Sequence, residues 1–119
     1  MGYRSDVSLT IEKHDFDKLL EEINSSNDYV KQMFNLAKKH ICGNFVTLYW
    51  EWVKWYEDFE AVIFFENFYQ KLEHYKFIRL GEDNEDNYED FRGDYIDCAS
   101  MERSICCDGY EFDCKVNCE

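Results

Sequence analysis

Hydrophobic and polar positions change their period along the chain, and the changes mark its elements. Val7, Leu9 and Ile11 alternate with Ser8 and Thr10, the period of two expected of a half-buried strand. From Phe16 the period lengthens, with Phe16, Leu19, Leu20 and Ile23 at i, i+3, i+4 and i+7. This is the apolar stripe of a helix, and Asp15 and Asp17 sit favourably near its positive N-terminal end. Ser25, Ser26 and Asn27 are capping and turn formers, after which Tyr29, Val30, Met33, Phe34, Ala37 and Ile41 predict a second amphipathic helix that Gly43 ends. Residues 45–56, FVTLYWEWVKWY, are dense in β-branched and aromatic types and read as a strand. Within it Trp50 and Trp52 share one face while Tyr49 and Trp55 share the other, which implies either a core on both faces or one exposed aromatic patch. Glu57 and Asp58 can open a third helix over Phe59, Val62, Ile63, Phe65, Tyr69 and Leu72, running to the neighbourhood of His74, and Tyr75–Leu80 then reads as another strand.

Composition shifts at Gly81. Residues 81–119 hold 13 acids and 3 bases, against 13 acids and 10 bases in residues 1–80. The segment Glu82–Asp90 reads as a turn followed by an acidic stretch, and Tyr95–Ile105 as a last strand beside the preceding one. The predicted order is βααβαββ with no internal repeat. A single α+β domain over residues 1–119 is expected, its sheet mostly antiparallel and packed with about three helices, with an acidic, Cys-rich C-terminal third at 81–119.

A net charge of −13 makes direct nucleic-acid binding unfavourable, since most of the surface would repel phosphates. No apolar run is long enough to cross a bilayer, and the opening residues lack the apolar region of a signal peptide, so no membrane association is expected and the chain reads as cytoplasmic. That compartment makes free thiols or a metal the default for the six cysteines, with a disulfide as the remaining alternative. Cys98, Cys106, Cys107, Cys114 and Cys118 are spaced C-x7-C-C-x6-C-x3-C, which contains no C-x2-C pair of the kind zinc sites use. Placing Asp83, Glu85, Asn87 and Asp94 on the calcium-loop pattern fails at Tyr88, where the sharp turn requires Gly. His14, His40 and His74 are far apart, and no nucleophile elbow, P-loop or dinucleotide fingerprint is present. No catalytic residue, metal ligand or cofactor is assigned, and the chain is read as a non-enzyme.

What remains is acidity and aromatics. Acids on one face of an extended strand repeat at about 6.6–6.8 Å, against about 3.4 Å of axis per phosphate in a DNA strand. Glu82, Asp83, Glu85, Asp86, Glu89 and Asp90, with Asp94 and Asp97, can thus imitate a phosphate row and occupy a basic groove. Trp52 and Trp55 are the expected apolar anchors of such a contact, because Trp and Tyr dominate interface hot spots.

The opening Met1–Val7 (MGYRSDV), the segment Trp52–Tyr56 (WVKWY) and the segment Phe77–Asp83 (FIRLGED) resemble a group of small, mostly uncharacterised proteins of bacteriophages and prophages. That resemblance implies a protein acting in the cytoplasm of an infected bacterium. By analogy with anti-CRISPR proteins, it implies an inhibitor that binds a host protein with a basic nucleic-acid-binding surface, a CRISPR effector being one such target. An edge strand and exposed cysteines would also allow a homodimer. The alternative is a small structural or zinc-binding interaction module built on the Cys-rich tail. An enzyme survives only if the fold gathers distant His, Cys and carboxylate groups.

Overall fold

The computed structural model describes residues 2–83, 85–93, 98–101, 105–112 and 114–115. Its centre is β1 (Ser5–Glu12), which pairs antiparallel with β3 (Phe45–Val53) on one side and β4 (Tyr75–Gly81) on the other. With β2 (Lys38–Cys42), β5 (Asn87–Arg92) and β8 (Tyr110–Phe112) it forms a six-stranded sheet of order β5-β4-β1-β3-β2-β8, antiparallel at every pairing. Helices α1 (Lys13–Asn24), α2 (Asp28–Leu36) and α3 (Glu60–Gln70) pack on one face. The α+β class and the antiparallel sheet are therefore those read from the sequence.

The helix-side core follows directly from the alternation. Val7, Leu9 and Ile11 meet Val46, Leu48 and Trp50 of β3, Phe77 of β4, and the buried stripes Phe16, Leu19, Ile23 of α1 and Val62, Phe65, Tyr69 of α3. Trp50 is fully buried and its indole Nε1–H donates to the Met33 carbonyl at 2.7 Å, which satisfies its polar atom inside an apolar core. Asn27 caps α2 as expected, its Oδ1 accepting from the Val30 N–H at 3.1 Å.

Three expectations are corrected. Helix α2 does not run to Ile41 but stops at Leu36, and residues 38–42 become β2. Five pairings with β3 supply the backbone bonds, and buried Lys39 lays its Nζ 4.5 Å from the Phe34 ring centre. Gly43, at φ 61, turns the β2–β3 hairpin instead of ending a helix, in the glycine-first pattern of a two-residue primed turn. Second, the strand beside β4 is the acidic segment itself, as β5. Residues 94–97 and 102–104 of the expected last strand lie outside the described residues, and Ala99–Met101 (β6) pairs with Ile105–Cys107 (β7) in a separate two-stranded ribbon.

Third, β1 is buried on both faces, not half-buried. Ile78, Leu80, Ala99 and Ile105, with Tyr49 and Cys107, form a second apolar layer on the face away from the helices. Under it Ser8, Thr10 and Thr47 are wholly buried, and the two threonine hydroxyls bond each other at 2.8 Å. A disulfide joins Cys42 to Cys98 across 56 residues, with Cα atoms 5.9 Å apart, and so staples the segment leading into the ribbon to the sheet. Cys106 and Cys107 are free thiols, and Cys118 lies outside the described residues.

Candidate protein-binding site

One corner of the sheet gathers three segments that are distant in sequence: residues 3–6, residues 52–56, and residues 79–83 with 85–86. It is organised by an irregularity in the β1–β3 ladder. Ser5 pairs with Val53 but Val7 pairs with Trp50, so β3 carries one residue more than β1 at this point. The extra residue is a bulge, and Trp52 absorbs it at φ 56, a left-handed conformation that bulky side chains rarely adopt. Both of its backbone groups are held by charged side chains. Its N–H donates to Asp6 Oδ1 at 2.8 Å, and its carbonyl accepts from Arg4 Nη1 at 3.3 Å.

The bulge decides which tryptophans face solvent. Period two would put Trp52 beside Trp50 in the core; the extra residue turns it outward, and it is 55% exposed. Trp55, two residues past the end of β3, faces inward. It is buried, its Nε1–H donates to Glu66 at 2.8 Å, and its ring lies 5.0 Å from that of Trp50. Of the two tryptophans expected as anchors, only Trp52 is available to a partner, and Trp55 is part of the core.

The acidic loop is fastened to the same corner by Tyr3 and Arg4. The Tyr3 hydroxyl donates to Asp86 at 2.7 Å and accepts from the Asp83 N–H at 3.0 Å, while the Arg4 N–H donates to Glu82 at 2.8 Å. Within the loop, Asp83 accepts from the Glu85 N–H at 3.0 Å. A recess of about 530 Å³ at this corner is lined by Gly2, Tyr3, Arg4, Trp52, Lys54 and Glu82. Trp52 and Glu82, 30 positions apart, thus border one concavity.

The six acids do not form a single row. Glu89 and Asp90 are neighbours on β5 and point to opposite faces. Asp90 accepts from the Tyr75 hydroxyl at 3.0 Å, and burial together with that bond pushes the Tyr75 phenol upward from its ordinary value. Asp86 pairs with Arg79 at 3.4 Å, and Glu89 with Lys76 at 3.8 Å. Glu82, Asp83, Glu85 and Glu89 are the exposed members. The field at the corner is therefore narrower than a continuous strand of acids would present. Asp94 and Asp97 lie outside the described residues.

For metals, the described residues contain one convergent group, Glu12, His14 and Asp15, whose ligand atoms lie within 4.8 Å of one another. His14 Nε2 is 3.5 Å from Asp15 and 3.9 Å from Glu12, and the Lys18 ammonium already reaches Asp15 at 3.9 Å. Among the described residues the cysteines gather no comparable group. The three histidines sit on different elements, at the start of α1, on β2 and before β4.

Tyr3, Arg4 and Asp6 belong to the opening segment MGYRSDV, but no motif in the sequence marks them as site residues. Nothing in their spacing signals that they meet Trp52; only the pairing of β1 with both β3 and β4 brings them there. No protein-family model matches the chain, and neither the curated proteins nor the solved structures contain a match.

Proposed function

We propose that this chain is a non-enzymatic inhibitor encoded by a bacteriophage or prophage, which binds a host defence protein on its basic, nucleic-acid-binding surface. The observation that carries the reading is Trp52, exposed at φ 56 and bordered by Glu82. A bulky residue in this conformation costs about 1–3 kcal/mol and persists only where its surroundings over-determine it, a pattern that clusters at binding sites. Here the result is a large aromatic anchor beside Glu82 in a recess that Arg4 and Lys54 also line, with exposed Asp83 and Glu85 in the adjoining loop, and such a surface can engage a basic protein through hot-spot burial and electrostatic steering. The segments that meet at this corner are also those on which the resemblance to phage proteins rests.

The test is capture of partners by the tagged chain from lysates of bacteria with active CRISPR and other defence systems, washed at low and then at high salt. A nucleic-acid-binding effector that elutes with salt is the expected result. Trp52→Ala should lower its recovery by about 30-fold, the equivalent of a hot-spot loss of about 2 kcal/mol. Reversing Glu82, Asp83, Glu85 and Glu89 to Lys should abolish the salt-sensitive part. An effector retained undiminished by both variants overturns the reading.

A further inference from the structure

Helix α2 is more apolar than one buried face requires. Val30 and Phe34 point into the core, while Tyr29, Met33 and Leu36, at i, i+4 and i+7, form a second stripe in which Tyr29 and Leu36 face outward and partly buried Met33 floors the groove between them. Tyr29 and Leu36 are each 68% exposed. Opposite them the start of α3 contributes Phe59 and Ala61, and together these residues line a groove of about 460 Å³. Its polar border is Gln32, Asp58 and Glu60, with no Lys or Arg among the lining residues. The groove is already shaped. Asn27 Nδ2 donates to Glu60 at 2.8 Å, tying the cap of α2 to the first turn of α3, and Phe59 is braced by the Tyr56 ring at 4.9 Å.

We propose that this groove docks a basic amphipathic helix of a partner protein, its apolar side chains on Met33, Leu36 and Phe59 and its Lys or Arg residues on Asp58 and Glu60. Charge complementarity selects this occupant. A second copy of the chain would bring two surfaces of net charge −13 together and set the rim acids of each against the other in a two-fold contact. An anionic lipid surface and a nucleic acid are repelled by the same acids. A helix with apolar residues at i, i+3, i+4 and i+7 matches the length and shape of the α2 stripe, and a preformed groove spares the ordering cost on this side. The proposal stands whether or not the corner at Trp52 binds its own partner.

The probe is a synthetic Leu/Lys peptide with leucines at helical spacing, titrated into the full chain and followed by chemical-shift changes. A peptide of the same composition in scrambled order and one with Glu in place of Lys serve as controls. The patterned peptide should shift Tyr29, Met33, Leu36 and Phe59, and both controls should bind at least tenfold more weakly. Leu36→Lys, at a 68% exposed position, should weaken the patterned peptide at least tenfold. Equal binding of the scrambled peptide, shifts confined to residues 82–90, or a chain dimer that Leu36→Lys dissolves would each overturn the assignment.

Discussion

Breaking the Cys42–Cys98 link is the perturbation whose size follows most directly from the structure. The bond closes a loop across 56 residues that contains β3, α3, β4 and β5. In the loop-entropy treatment such a closure removes about 14 cal/mol/K from the unfolded chain, or about 4 kcal/mol at 25 °C. That is a large part of the 5–15 kcal/mol that holds a domain of ordinary stability together. With a urea dependence of about 2 kcal/mol/M, the denaturation midpoint should fall by about 2 M on reduction. The assay is tryptophan fluorescence in urea, with Trp50 and Trp55 as buried reporters, on oxidised protein, on protein reduced with a phosphine, and on the Cys42→Ala/Cys98→Ala variant. Reduced and double-variant samples should coincide. Because Cys98 and Ala99 lead into the ribbon over Ile78 and Leu80, amides of β6 and β7 should lose protection before those of β1. Oxidised and reduced midpoints that agree, or a peptide map pairing either cysteine elsewhere, would refute the reasoning. Cytosolic thiols are kept reduced, so a chain acting in a bacterial cytoplasm carries this link open and has the stability of the reduced sample.

Three more predictions concern single features. At position 52 glycine should be more stable than alanine by about 1 kcal/mol, the reverse of an ordinary strand position, because only glycine adopts φ 56 without strain; equal urea midpoints for Trp52→Gly and Trp52→Ala would show that the position is unstrained. Thr10→Val should cost about 1–3 kcal/mol by orphaning the buried Thr47 hydroxyl, whereas Thr10→Val/Thr47→Val should lie near wild type, and a double-mutant cycle without coupling would contradict the 2.8 Å bond. Burial, with Cys106 and Asp108 adding, pushes the Cys107 thiol from 9.0 up to about 11, and burial, with Asp6 and Glu51 adding, pushes the Tyr49 phenol from 10.0 up to about 12. The unfolded chain therefore ionises first, so stability is complete below pH 9 and declines as pH rises from 9 to 12. Cys107→Ala should move the onset of that decline to pH 10, and urea midpoints that stay flat to pH 11 would exclude the mechanism.

Elements whose apolar spacing keeps one period or one dense run were legible in position: β1, α1, α3 and β4 stand where Val7–Ile11, Phe16–Ile23, Val62–Tyr69 and Tyr75–Leu80 put them. The end of α2 was not, because Ala37 and Ile41 continue a helical spacing while the pairing of β2 with β3 that overrides it is long-range. Ser8 and Thr10 read as the polar face of a half-buried strand, and nothing local announces that a layer including Ala99 and Ile105 will cover that face. Six cysteines, if all paired, allow 15 connectivities, and only the topology brings Cys42 to Cys98. The site depends on the smallest of these long-range facts. One added residue in β3 moves Trp52 from core to surface, since a strand's side chains reverse face with each residue, while Trp55, beyond the end of the strand, is the one that packs inward. Periodicity could place an aromatic stripe at 50–56 but could not choose its exposed member. That choice is made by Asp6 and Arg4, which hold the Trp52 backbone in a conformation its own side chain disfavours. Unlike the end of α2, where long-range pairing overrides local spacing, this conflict lies on the surface beside exposed acids, and surface conflicts of that kind are retained where they serve a purpose other than stability.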